Sequence, residues 1–375
     1  MCGQHQLTDS NGEITRVACP FTKTHNVAVA DFNHASVCAF NPQNTPKHKC
    51  YRVNVNRGSP LSEPNSATNQ SPGKGSQLLD AEMNTKPLDS VNQLSELEFT
   101  KFYSMFLKLY TSVQPRTDFK TSILTHPALH DRMVESSHGK HPTQQSSLIG
   151  HLHRLNLLSN PNTTFIEFGC GSGQLSRYIF DAHEAENCSF LLVDRKRIKS
   201  KSGHSIKQAK LQKILIDIKD LELDLVLENK CVAVSKHLCG AATDLTLRCL
   251  FNYMEKNNDG VHGVCIALCC HQVCDFRDYI NHPYLISTGI GALEFDYLKV
   301  MSTWSLCAST EEKKNHWTGL SVNERINFGE KCKRFLDIGR LQAMHQQGFD
   351  AELVYFVDKQ TSLENMCLVA SMKPK

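Results

Sequence analysis

Three glycines set the first chemical constraint on this chain. Residues 165–179 read FIEFGCGSGQLSRYI, placing Gly169, Gly171 and Gly173 between an apolar run and an amphipathic one. Glycine lets a chain turn sharply and lets a ligand approach the backbone where a Cβ would stand. The next apolar run, FLLVD, ends on Asp194, about 20 residues further on, a spacing that suits a carboxylate accepting hydrogen bonds from ribose hydroxyls. A third acid, Asp217, follows ILI, and Ile218 beside it offers an apolar face for an adenine ring. Glu167, two residues before the first glycine, is placed to organise the loop and the charged amino end of a cofactor. Gly-x-Gly-x-Gly with these acids favours S-adenosylmethionine over a dinucleotide. The bland alternative is a structural turn with ordinary surface acids.

Two further runs, SKHLCGAATDL and IALCCHQVCDF, carry polar residues at the ends of apolar segments. In an open parallel sheet, chemistry gathers beyond the carboxyl ends of the strands. Ser235, Lys236, His237, Cys269, Cys270 and His271 are therefore expected near one crevice, shared with the glycine turn. Lys236 and His237 are candidates to position an acceptor or receive its proton, against a plain role in the turn before a helix. Cys270, His271 and Cys274 offer zinc-type ligands but lack paired-knuckle spacing. A cysteine nucleophile and a structural or substrate-positioning role are the other options for this block.

The N-terminal 60 residues hold another constellation: Cys19, His25, His34 and Cys38. Four mixed nitrogen and sulfur ligands in a segment too small for its own core predict a closed zinc site that supplies the folding energy. Cys2 and His5 look like the closing half of a preceding finger, and His48 and Cys50 are possible substitute ligands. Between Asp194 and Asp217 there are no acids but eight cations, among them Arg195, Lys196, Lys210 and Lys213, which suit phosphate contacts or a solvated helix face.

These residues need elements to hold them. Beyond residue 163, short apolar runs (TFIEFG, SFLLVD, ILIDI, CVAVSKHL, VCIALCCH, ELVYFV, MCLVASM) alternate with helical candidates at 174–186, 243–257 and 335–347. Fully apolar strands separated by helices predict a mostly parallel sheet covered on both faces. The last two runs, joined by DKQTSLEN, read as an antiparallel hairpin. Further helices are expected at 144–158 and from Leu94, where aromatics recur at helical spacing. The expected organisation is a finger remnant at 1–15, a CHHC finger at 16–56, a Ser/Asn/Pro-rich tether at 57–93, a helical extension at 94–162 and the core at 163–375.

Composition excludes other classes. The 375 residues include 41 Lys+Arg against 38 Asp+Glu, so any nucleic-acid preference must come from a patch rather than the global field. No run is long and apolar enough to span a bilayer, and an intracellular location follows, with nucleus and cytoplasm both open. Sixteen cysteines in so long a chain suggest core thiols and metal ligands rather than a disulfide scaffold.

Taken together, CPFTKTHNVAVADFNHASVC resembles the small CHHC finger of RNA-processing proteins. KHPTQQSSLIGHL, FIEFGCGSGQLSRYI, SKHLCGAATDLTLRCL, IALCCHQVCDFRDYI and GALEFDYLKVMSTW resemble the eukaryotic tRNA ribose 2'-O-methyltransferase family that modifies nucleotide 4 of the acceptor stem. That resemblance implies a class I Rossmann-like methyltransferase core with a zinc finger. It implies a methyl-donor site at Glu167, Gly169, Gly171, Gly173, Asp194, Asp217 and Ile218, with Lys236, His237, Cys269, Cys270 and His271 bordering the reacting ribose. S-adenosylmethionine and zinc would be the cofactors and the tRNA acceptor stem the partner. The alternatives are a tRNA base N-methyltransferase and a non-catalytic RNA-binding adaptor.

Overall fold

Apolar runs in the second half of the chain build a sheet whose order decides which residues meet. In the computed structural model, the described residues are 48–58, 94–114, 119–135, 139–196, 210–306 and 316–373, together with the backbone at 16–18 and 26–28. The chain divides into two units, residues 1–49 and 50–375. Within the first, β1 (Arg16–Ala18) pairs antiparallel with β2 (Asn26–Ala28). The zinc ligands expected at Cys19, His25, His34 and Cys38 lie outside the described residues.

The second unit holds β3 (Lys120–Thr121), β4 (Thr164–Phe168), β5 (Ser189–Asp194), β6 (Lys210–Leu215), β7 (Cys231–Cys239), β8 (Val261–Cys269), β9 (Phe349–Tyr355) and β10 (Met366–Met372). They form one sheet in the order β3-β9-β10-β8-β7-β4-β5-β6. Strands β4 to β8 run parallel, and β10 inserts antiparallel between β8 and β9. This is the mixed α/β sheet of a class I Rossmann-like methyltransferase fold, and the expected terminal hairpin is β9–β10. The chain reverses direction between β6 and β7 across β4 and β5, so the glycine turn after β4 and the loop after β7 open at the central switch point of the sheet.

Side chains alternate across the sheet. Phe165, Phe190, Val232, Cys265 and Val369 face one layer, where α3 (Lys140–Arg154) and α4 (Gln174–Ala182) contribute Leu148, Leu152, Leu175 and Ile179. Ile166, Leu191, Ala233, Ile266 and Leu368 face the other, against Leu247, Leu250 and Met254 of α5 (Ala241–Lys256). The remaining helices are α1 (Glu96–Val113), α2 (His130–Glu135), α6 (His282–Ser287), α7 (Ala292–Ser302) and α8 (Val322–Gln346).

Two sequence expectations change in extent. The helix read at 335–347 is the second half of α8, which starts much earlier because Ser321 and Glu324 form a capping box. The helix read at 144–158 is α3, which starts at Lys140 and ends at Arg154. The aromatic helix expected after Leu94 is α1; Phe99, Phe102, Phe106 and Tyr110 pack with Phe328 and Phe335 of α8, and Phe106 meets Phe335 edge-on at 5.4 Å.

Residues 50–58, read from sequence as the end of the finger and the start of the tether, pack on the second unit instead. Cys50, offered by the sequence as a substitute zinc ligand, is fully buried in the sheet's core. Asn56 is 1% exposed and its amide donates to the carbonyls of Ile218 and Leu221, both at 2.7 Å. Arg52 N–H donates to the Asp220 carbonyl. The strap thus lies directly behind the loop that carries Asp217 and Ile218.

Among the described residues no helix is long and apolar enough to cross a membrane.

Candidate functional site

The glycine turn is held open from below and from the side. Gly169, Gly171 and Gly173 have φ of +64°, +53° and +75°, the left-handed region that side chains with a Cβ rarely adopt. A Cβ on Gly173 would stand 3.0 Å from Leu192 Cδ1. Asp194, at the end of β5, accepts the Gly171 N–H through Oδ2 at 2.8 Å and the Lys196 N–H through Oδ1 at 2.8 Å. Lys213 of β6 donates to the Gly171 carbonyl at 3.0 Å. Glu167 is buried beneath the turn, where its Oε2 accepts the Ser176 N–H at 2.9 Å and the Ser176 hydroxyl at 2.6 Å. Burial pushes the Glu167 carboxyl up to about 7, against those two hydrogen bonds. Asp217 caps its own turn by accepting the Lys219 N–H at 3.1 Å, and Ile218 behind it is 8% exposed.

This wall fits S-adenosylmethionine. The left-handed turn leaves backbone open where a Cβ would intrude, and carboxylates stand at the ends of successive parallel strands. Lys213, counted from sequence among cations available to phosphate, is occupied as a support of the turn. Lys210 pairs with Glu228 at 3.1 Å. Residues 197–209, which carry Arg197, Lys199, Lys201 and Lys207, lie outside the described residues.

Across the crevice, β7 is irregular where its chemistry begins. Its register against β8 slips between Ser235 and Leu238, so that two residues, Lys236 and His237, stand out of the ladder. Such a bulge bends the strand and redirects its side chains. Lys236 Nζ lies 3.0 Å from His141 Nδ1 of α3. Burial lowers the Lys236 ammonium below its usual range while Glu167 pulls the other way; the Lys236 cation in turn depresses His141. His141, the partner of Lys236, has no mark of its own in the sequence, although it lies in the KHPTQQSS run that carries the family resemblance.

His237 stands between two thiols, with Nδ1 3.2 Å from Cys269 Sγ and Nε2 3.3 Å from Cys239 Sγ. With Cys270, the ligand atoms of these four residues lie within 4.8 Å of one another. Cys239 is pulled down towards the thiolate by its contacts with Cys269 and His237, and Cys269 is pushed up by Cys239 and Cys270. Cys239 was not singled out in the sequence, although it closes the KHLC run.

The grouping of Cys270, His271 and Cys274 is corrected by the fold. His271 is fully buried and its Nε2 lies 2.7 Å from Asp337 Oδ1. Cys274 is buried and accepts from Arg340 at 3.1 Å. Both belong to an ionic cluster in which Arg340 donates to Asp244 Oδ2 at 2.7 Å and to Asp337 Oδ1 at 3.2 Å, and Arg334 meets Asp337 Oδ2 at 3.2 Å. Burial by itself would raise the Asp337 carboxyl, yet His271, Arg334 and Arg340 hold it well below the usual range. His271 therefore fixes the floor of the crevice and does not border a substrate.

Comparison with known proteins places the chain in a family. A family model described as Methyltransferase TRM13 matches residues 143–371. A Mus musculus protein named tRNA:m(4)X modification enzyme TRM13 homolog is 29% identical, across 98% of this chain and 89% of that protein. The Schizosaccharomyces pombe tRNA:m(4)X modification enzyme TRM13 is 31% identical, across 96% of each chain. Among solved structures, the SAH-bound Podospora anserina methyltransferase PaMTH1 covers 72% of this chain and 88% of its own, at 10% identity and a TM-score of 0.33. That likeness is too distant to argue from, and the fold stands on its strand order.

The relatives' names overturn one expectation. The sequence resemblance implied a ribose 2'-O-methyltransferase; the notation m(4)X sets the methyl before the nucleotide symbol and names no ribose. The ribose 2'-hydroxyl as acceptor is corrected accordingly, and the notation favours the alternative of methylation on a tRNA base.

Proposed function

This chain belongs to the Methyltransferase TRM13 family, and from that premise we propose that it transfers a methyl group from S-adenosylmethionine to tRNA. The product is the modification its relatives' names write m(4)X, at nucleotide 4 of the acceptor stem, with the base favoured as acceptor by that notation. The observation that carries the reading is the left-handed glycine turn clasped by Asp194 at 2.8 Å, with Lys236 on the strand across the crevice.

The donor, when bound, supplies a methyl on a sulfonium that is already a good leaving group. The protein's work is to align the acceptor and take up the proton that the acceptor sheds. Asp194 and the open glycine backbone would hold the ribose and amino-acid portions of the donor, with Ile218 against its ring. Lys236, partly desolvated and next to His141, is the residue placed to accept a proton or to hold a phosphate. Cys19, His25, His34 and Cys38 would hold a zinc in the N-terminal finger, where loss of metal should weaken tRNA binding more than donor binding. The described cysteines of the sheet strands, Cys231, Cys239, Cys265, Cys269 and Cys367, are in no disulfide, which suits a reducing intracellular compartment.

The test is incubation of the full chain with total tRNA and labelled donor, followed by nuclease mapping and digestion to nucleosides. Label on the base of a single nucleotide is expected. Label on ribose would overturn the acceptor assignment. Unlabelled tRNA together with failure to bind S-adenosylmethionine would favour a non-catalytic RNA-binding adaptor.

A further inference from the structure

The thiol group in the crevice is more than a catalytic cysteine needs. An activated cysteine requires one thiol and one base. Here three thiols and an imidazole, drawn from two strands and the turn beyond them, place their donor atoms within 4.8 Å of one another. Each strand contributes by a separate device. Cys239 and Cys269 are directly opposed in the parallel pairing of β7 and β8. The slip after Ser235 lifts His237 out of the ladder, so that its ring reaches both of those thiols at 3.2 and 3.3 Å. Consecutive residues of an extended strand point to opposite faces, which would send the Cys270 thiol away from that of Cys269. Cys270 instead has φ +52°, a left-handed backbone unusual for a residue with a Cβ. Its N–H is held by Glu364 Oε1 at 3.2 Å, and Glu364 is fixed by Lys333 at 3.0 Å. Gly240 completes the enclosure: a Cβ there would stand 2.4 Å from the Val273 carbonyl carbon, so only glycine lets the turn after Cys270 close over the group.

We propose that His237, Cys239, Cys269 and Cys270 form a second metal site, taking a zinc ion through three thiolates and one imidazole nitrogen. Tetrahedral zinc, with bonds of about 2.3 Å to sulfur and 2.0–2.1 Å to nitrogen, separates its ligand atoms by roughly 3.5–3.8 Å. Zinc takes one imidazole nitrogen, so either the 3.2 Å contact of Nδ1 with Cys269 or the 3.3 Å contact of Nε2 with Cys239 becomes an edge of that tetrahedron, and a shift of the ring and thiols within the 4.8 Å cluster supplies the others. Four protein ligands leave no open position, which makes the site structural. It ties the carboxyl ends of β7 and β8 together beside Lys236, and it removes the thiols as nucleophiles. The three cysteines and the histidine therefore hold the crevice in shape, while the reacting groups lie next to them.

Three forms of the full chain, purified under reducing conditions in the presence of zinc and then desalted, are compared by elemental analysis: wild type, C19S/C38S and C239S/C269S. The C239S/C269S protein should hold about one equivalent less zinc than wild type, and C19S/C38S should still hold about one. This result is independent of whether the finger binds metal, since a zinc-free finger lowers wild type without changing the difference. Cobalt exchanged into C19S/C38S provides a readout that leaves all four cluster ligands intact, and an intense sulfur-to-cobalt absorption band with tetrahedral visible bands is expected. Equal zinc in wild type and C239S/C269S, or a C19S/C38S protein that shows neither zinc nor the cobalt bands, would overturn the site. Recovery of a Cys239–Cys269 disulfide from protein whose free thiols are alkylated as it is denatured would do the same.

Discussion

The two walls of the crevice are built by opposite means. On the β4–β5–β6 side the backbone makes the site: three left-handed glycines form the turn, and Asp194, Glu167 and Lys213 each hold it through a hydrogen bond to main chain. On the β7–β8 side, side chains make the site, and the backbone is distorted by a bulge and a left-handed cysteine to bring them together. A wall made of backbone tolerates few changes of residue at the glycines and takes its supports from the next two strands, Asp194 of β5 and Lys213 of β6. A wall made of side chains depends on contacts from far along the chain, including Glu364 and Asp337. Changes on the first wall should therefore act on donor affinity, and changes on the second on transfer and on stability.

Lys236→Met is the sharpest way to break that division. Loss of the proton-accepting group should slow single-turnover transfer by roughly 100- to 10,000-fold, while donor affinity changes little. If Lys236 serves mainly to hold phosphate, tRNA affinity and its salt dependence fall together instead. A loss of donor affinity as large as the loss of rate would show that the walls are not separable.

Arg340→Met tests the distant support of the second wall. It leaves the buried Asp244 and Asp337 carboxylates short of a partner, which should cost about 3–5 kcal/mol in urea unfolding. Donor affinity of the folded fraction should stay near wild type. A cost below about 1 kcal/mol would mean that the cluster does not hold the crevice floor.

Asp194→Ala removes the clasp on the glycine turn and the carboxylate expected on the donor's ribose. Two charge-assisted hydrogen bonds correspond to about 2–4 kcal/mol of donor affinity, read by calorimetry with circular dichroism as the control for folding. Unchanged affinity would remove the donor from this wall.

The smallest effect is one of pH. The Glu167 carboxyl, raised by burial to about 7, keeps its proton up to near neutrality in the free protein. A donor carrying positive charge beside it favours the ionised form, so binding expels that proton. Donor affinity should then rise with pH, by up to about tenfold per unit below 7, and level off above it. Glu167→Gln should flatten this component of the profile. A wild-type profile identical to that of the variant would separate Glu167 from the donor's charge.

The two walls also differ in how far the sequence reveals them. Gly169, Gly171, Gly173 and Asp194 are legible because a turn between strand and helix is a local matter, and glycine at positive φ leaves its mark in the text. The strands were legible too, since fully buried runs such as IEF and CIAL leave little alternative. The thiol wall is legible only in part: His237, Cys269 and Cys270 are expected at one crevice, but the sequence offers His271 and Cys274 as their zinc-type companions where the fold supplies Cys239. The left-handed turn at Cys270 separates it from His271, which turns inward to Asp337, a residue 66 positions away. Nothing local marks that choice, nor the slip in β7 that brings Cys239 into the group. Residues 50–58 were misplaced for a related reason: Asn56 is an ordinary polar residue in the text, and only its two acceptor carbonyls on the far loop reveal a strap.

The buried ionic cluster has a consequence for the order in which the molecule comes apart. Asp244, His271, Cys274, Asp337 and Arg340 come from α5, α8 and the segment after β8, and Arg340 bonds to Asp244, Cys274 and Asp337 together. Partial opening would leave a charge stranded away from water, so these segments separate together or remain closed. The amides they enclose, such as the Ile280 N–H bound to Asp244, then exchange with solvent only when the whole domain unfolds, while the exposed ends of the sheet exchange by local fraying. The floor of the crevice is thus expected to yield late in unfolding, although it lies beneath the part that must accommodate a substrate.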